Sequence, residues 1–83
     1  MQDMIDSLRV FALPLLSYAT PDTEVGLTAV AEVERFYLPR VLAAETFFDR
    51  LMWTHLAGMR LGQAMGHLRN AEMVAGIGFR VIG

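Results

Sequence analysis

Four ionisable residues have the types and spacings that could do chemistry together: His55, His67, Glu45 and Asp49. The two histidines stand twelve positions apart. On one helix they point about 120° away from each other, so one chain cannot bring both to one metal ion unless it bends. Neither Glu-x-x-His nor His-x-x-x-His occurs, and these are the spacings by which a helix ordinarily presents metal ligands. Glu45 and Asp49 lie one turn apart and form either a carboxylate pair or two like charges on a wet face. Ser7 and Ser17 have no histidine near them in sequence, and with no cysteine there is no thiolate nucleophile or ligand. Gly76-Ile77-Gly78 lacks the preceding strand and the third glycine of a nucleotide fingerprint, so it takes no phosphate role. The expectation is a chain without catalytic residues, metal or cofactor.

The elements that would carry these residues are helical throughout. From Asp3 to Tyr18, Met4, Leu8, Phe11, Leu15 and Tyr18 recur at helix spacing, interrupted by Pro14. That predicts a kinked N-terminal helix or two short pieces over about 3–18. Thr20-Pro21-Asp22-Thr23-Glu24 opens the next helix: a capping residue, a proline suited to the first position, and acids that complement the helix dipole. This middle helix spans about 21–38. Its apolar side is Val25, Ala29, Val30, Val33, Phe36 and Tyr37, with Glu32 and Arg35 free to pair on its wet side. Pro39 ends it or starts the next. A long helix is expected over about 40–69, with Asn70 closing it or capping a last one over 71–81. The chain reads as a single all-α domain over 1–83.

The long helix holds Gly58, Gly62 and Gly66, four apart. Three interior glycines cost about 3 kcal/mol relative to alanine. Small residues at this spacing form a flat surface on which a second backbone can approach closely. They also join an a/d row running through Ala44, Phe48, Leu51, His55, Gly58, Gly62 and Met65. The last six of these and Gly66 are the expected helix-packing face, within the chain or between copies. Drift in a tolerant helix is the plain alternative, and it predicts that alanine there stabilises. His55, polar in an apolar row, either fixes register, stays neutral and partly exposed, or binds a ligand. Met52, Met59 and Met65 along or beside the row suit an adaptable surface or an ordinary core.

Apolar residues make up 54% of only 83. A chain this short buries roughly 60–65% of its unfolded surface, so its core is thin. The excess predicts a homo-oligomer, an oligomeric helical bundle, or a protein that covers an apolar surface or partner. A net charge of −2 gives no basic patch for nucleic acid. The acidic start, Met1-Gln2-Asp3-Met4-Ile5-Asp6, is unlike a secretory signal, and no uncharged run reaches the ~20 residues of a membrane span. A cytoplasmic protein is expected, free or at a granule or membrane surface. Acids dominate residues 1–39 and arginines residues 40–83, which favours antiparallel pairing between the halves or between chains.

The stretch Ala71-Glu72-Met73-Val74-Ala75-Gly76-Ile77-Gly78-Phe79-Arg80 resembles a pattern in small phasin-like proteins of alphaproteobacteria: an Ala-Glu start, an aliphatic centre, and an arginine eight residues after the glutamate. Glu72, Ile77 and Arg80 fill those places, while Gly76 and Gly78 stand where that family favours alanine and methionine. The resemblance covers about ten residues. It implies a helical, oligomeric, non-catalytic protein that coats polyhydroxyalkanoate granules through apolar helix faces. Two rival readings come from other classes. One is an accessory subunit or adaptor docking through Gly58–Gly66; the other is an enzyme whose His55, Glu45 and Asp49 converge from several copies.

Overall fold

A computed structural model describes the backbone of residues 1–18 and 20–82, and the side chains through residue 76. The architecture is all-α. Helix α1 (Gln2–Ala12) runs into a 3-10 turn at Leu13–Ser17. Helix α2 (Pro21–Glu32) passes through a π-helical turn at Val33–Tyr37 into α3 (Leu38–Ala43), making one rod over 21–43. After a bend at 44–46, α4 (Phe47–Ile82) returns antiparallel as 36 residues of unbroken helix. Its length sets the long axis of a molecule measuring 54 × 17 × 15 Å.

Local chemistry explains each boundary. Pro14 enters at the start of the 3-10 turn, where the α-helical ladder loses a donor. Pro21 occupies the first position of α2, with Asp22 and Glu24 in its first turn. Thr20 does not cap that helix through its side chain; its hydroxyl lies 2.9 Å from the hydroxyl of the buried Thr23. Pro39 falls in the first turn of α3, as one of its two expected places allowed, and the chain enters that helix without a break. Leu38 N–H donates to the Val33 carbonyl five residues back, and this one widened turn carries the rod past the missing proline donor.

The break comes instead at Ala44-Glu45-Thr46. Thr46 Oγ1 accepts the Asp49 N–H at 3.1 Å, capping α4 seven residues later than the expected start near 40. The helix also continues through Asn70, where a close had been expected. The Asn70 amide is engaged away from its own backbone, donating to Asp22 Oδ2 at 2.6 Å, so nothing there competes with the helical ladder.

The core lies between the three rods. From α1 and the turn after it come Ile5, Leu8, Ala12 and Leu15; from the middle rod, Ala29, Val30 and Val33; from α4, Ala57, Leu61, Ala64, Leu68, Ala71 and Ala75. The α4 set is spaced four and three throughout, a continuous heptad row whose alanines keep the rods close. The middle rod comes close to α4 at Gly26 of α2. A Cβ there would stand 2.8 Å from Leu68 Cγ and 3.2 Å from the Ala64 carbonyl oxygen. The backbone-to-backbone packing that glycine permits therefore occurs inside the chain at Gly26. It does not involve Gly58, Gly62 or Gly66, where an added Cβ would meet no other described residue within 4 Å.

Candidate functional site

On a helix with 3.6 residues per turn, the row opposite Ala57–Leu61–Ala64–Leu68 is Met52, His55, Met59, Gly62, Gly66, Arg69 and Met73, again spaced three and four. All of these are exposed. Phe48 and Leu51 extend the face toward the start of α4 and are 71% and 56% exposed; Met59 is 53% exposed. An uncovered strip thus runs along α4 from Phe48 to Met73, about 38 Å at 1.5 Å per residue. Large apolar side chains stand at both ends, and the bare backbone of Gly58, Gly62 and Gly66 lies in the middle.

Of the expected packing face, Phe48, Leu51, His55, Gly58, Gly62 and Gly66 are exposed away from the core, while Met65, also exposed, borders a cleft with Met4, Leu8 and Phe11 of α1. None takes part in the core. The within-chain form of that expectation is corrected, because α1 and the middle rod are applied to the other side of α4, through Ala57, Leu61, Ala64 and Leu68. Sequence spacing carried that inner row as plainly as the outer one. The glycines drew attention to the outer row, and alternating alanine and leucine did not.

Charged groups are concentrated on the flanks of α4 and tie the rods together. Arg9 makes a two-pronged pair with Glu34, at 2.7 and 2.8 Å, joining α1 to the π-helical turn. Arg60 Nε donates to Glu32 at 2.7 Å, so Glu32 pairs across to α4 and not with Arg35 one turn along. His67 Nδ1 lies 3.0 Å from Asp22 Oδ1, beside the Asn70 bond to the same carboxylate. Hydrogen bonds from His67 and Asn70 hold the Asp22 carboxyl below its usual range. The Arg9 guanidinium, helped by the Gln2 amide, lowers Glu34 to about 2. Arg40 is spent locally. Its guanidinium sits 5.2 Å from the Trp53 ring centre and donates to the Phe36 carbonyl. The antiparallel charge pairing suggested by the two halves is thus realised between the middle rod and α4.

The residues of a shared catalytic site are not gathered within one chain. Glu45 and Asp49 border a shallow cleft at the bend with Arg40 and Trp53, while His55 faces outward on the uncovered side of α4. Among the described residues no three His, Asp or Glu side chains converge as metal ligands, and no helix is long and apolar enough to cross a membrane. The backbone of Ala71–Arg80 is helical; the side chains of Ile77 and Arg80, which carry part of the phasin-like pattern, lie outside the described residues. No protein-family model, curated protein or solved structure matches this chain.

Proposed function

We propose that this chain is a non-catalytic helical protein of the cytoplasm that associates with itself and binds an apolar surface or partner, using the outer face of α4. Granule coating of the phasin type is the specific form we favour. One observation carries the reading: a helix that buries one heptad row in its own chain presents a second, largely apolar row that is exposed among the described residues. A lone helix in water ordinarily sets charged residues opposite its buried stripe. Here that position holds Met52, Met59 and Met73 with His55 and Arg69 as the ionisable members. An apolar strip of this extent on a small protein marks a contact surface.

Partition onto an apolar phase tests the reading. Offered polyhydroxybutyrate granules or triolein emulsion droplets, the protein is expected to leave solution for the particle surface. Replacing Leu51 and Met59 by Asp is expected to keep it in solution. Indifference of the wild-type chain to both particles, together with a monomeric native mass, would contradict the proposal.

The glycine triplet supports a second reading, an accessory subunit or adaptor. A flat row with no side chains accepts one helix from another protein as readily as from a copy. Such a protein ignores droplets and purifies with one stoichiometric partner that the Gly62→Leu variant loses.

A further inference from the structure

We infer that the cleft between α1 and α4 binds a carboxylate carried on a medium-length apolar chain, with Arg69 holding the carboxylate. This goes beyond the reading above, because the site lies inside one chain and needs neither self-association nor a droplet. The cleft, about 260 Å³, is lined by Met4, Ser7, Leu8 and Phe11 of α1 and by Met65 and Arg69 of α4. Its origin is in the spacing. Met4, Ser7 and Phe11 fall three and four apart on one side of α1, and a serine between two large apolar residues leaves room there. Leu8 is 4% exposed and belongs to the core, whereas Met4, Phe11 and Met65 keep 54%, 39% and 37% of their surface in solvent. An apolar chain laid among them removes that surface from water, and the two methionines adapt to its shape.

Charge decides the class of ligand. On α4, Arg50 donates to the Ala44 carbonyl, and Arg60 donates to Glu32 and Gln63. Arg69 has no hydrogen bond and no carboxylate partner among the described residues. Other clefts that hold an arginine also hold an acid: Arg40 lies with Glu45 and Asp49, or with Glu32, and Arg60 lies with Glu24. The α1–α4 cleft carries the Arg69 guanidinium with no acid, beside the Ser7 hydroxyl. A guanidinium fork matches a carboxylate with two parallel hydrogen bonds and repels a cation. Volume sets the length of the tail. At ~30 Å³ for each water-sized group, the cleft takes about nine heavy atoms. A decanoate tail fills that space and leaves its carboxylate at the rim, on Arg69.

Calorimetric titration of the full-length protein tests this, with decanoate, hexanoate and decyltrimethylammonium as probes, each below its micelle concentration. Wild type is expected to bind decanoate, and to bind both hexanoate and the cationic amphiphile at least about tenfold more weakly. Arg69→Gln removes a side chain that is exposed, so it is expected to keep its helix content by circular dichroism and to lose about tenfold in decanoate affinity. Arg69→Lys should recover part of that loss. Ser7→Leu, which fills the gap from the α1 side, should exclude the tail even with Arg69 in place. Equal binding of decanoate and the cationic amphiphile, unchanged binding by folded Arg69→Gln, or no binding by wild type would each overturn the inference. Wild type that takes up decanoate yet ignores droplets keeps the cleft and loses the surface reading. Wild type that coats droplets but takes up no decanoate does the reverse.

Discussion

A Cβ on Gly26 would meet Leu68 Cγ at 2.8 Å, Leu68 Cδ2 at 2.9 Å and the Ala64 carbonyl oxygen at 3.2 Å, and Leu68 is itself fully buried. Overpacking of that kind costs about 1–3 kcal/mol, more than the ~1 kcal/mol an alanine gains over glycine in a helix. Gly26→Ala is therefore expected to lower the melting temperature. Gly62→Ala, facing open space, is expected to raise the stability of the isolated chain by about 1 kcal/mol while weakening its association. Two glycines in helical settings thus give opposite signs, and thermal melts at low concentration read them directly. Glu34 supplies a second residue-scale test. A carboxyl held below its ordinary range stabilises the fold fully above the unfolded value, and that contribution disappears as pH falls toward the folded value. For Glu34 the window runs from 4.5 down to about 2. In urea titrations at successive pH values, Glu34→Gln is expected to lose less stability than wild type across that window.

At the scale of elements, α4 carries two heptad rows that serve different ends. The inner row is fully used, with Ala57, Ala64 and Leu68 at zero exposure, and the outer row is free. Leu61→Asp is expected to place a charge in the core and unfold the chain. Met59→Asp, two residues away on the outer row, should leave helix content unchanged by circular dichroism and abolish association. Helical class, the boundary at Pro21, and the core residues Ala29, Val30 and Val33 were all legible in the sequence, because periodicity and capping chemistry are local signals. The apolar side assigned to the middle helix was partly misread. Val25 and Phe36 are exposed, while Gly26 turns to α4, because a glycine carries no hydropathy signal for the face it occupies. Pro39 does mark the start of α3, but not a break in the rod. A π-helical turn absorbs it through one longer-range bond, and composition does not announce that geometry. The bend at 44–46 did leave a mark in Thr46-Phe47-Phe48-Asp49, a threonine three residues ahead of an acid, which is a helix-start signature that the apolar run after Pro39 obscured. Of the candidate site, the outer row was visible as glycine spacing; which of two overlapping rows α1 and the middle rod would cover was a tertiary outcome.

At the scale of the whole molecule, three rods packed into a cross-section of 17 × 15 Å leave a core one side chain deep. Small cores of this kind supply only a few kcal/mol of stability. Binding that occurs only in the folded state adds to it by mass action, so the melting temperature is expected to rise with protein concentration. The phasin-like reading and the adaptor reading both depend on the outer face of α4 being covered when the protein works. Native mass by sedimentation equilibrium, with wild type and Gly62→Leu compared at equal concentration, tests that most directly. Wild type is predicted to sediment at a multiple of the chain mass, and Gly62→Leu at the mass of one folded chain. A wild-type protein that stays monomeric across the concentration range, with a melting temperature unmoved by dilution, would contradict the account.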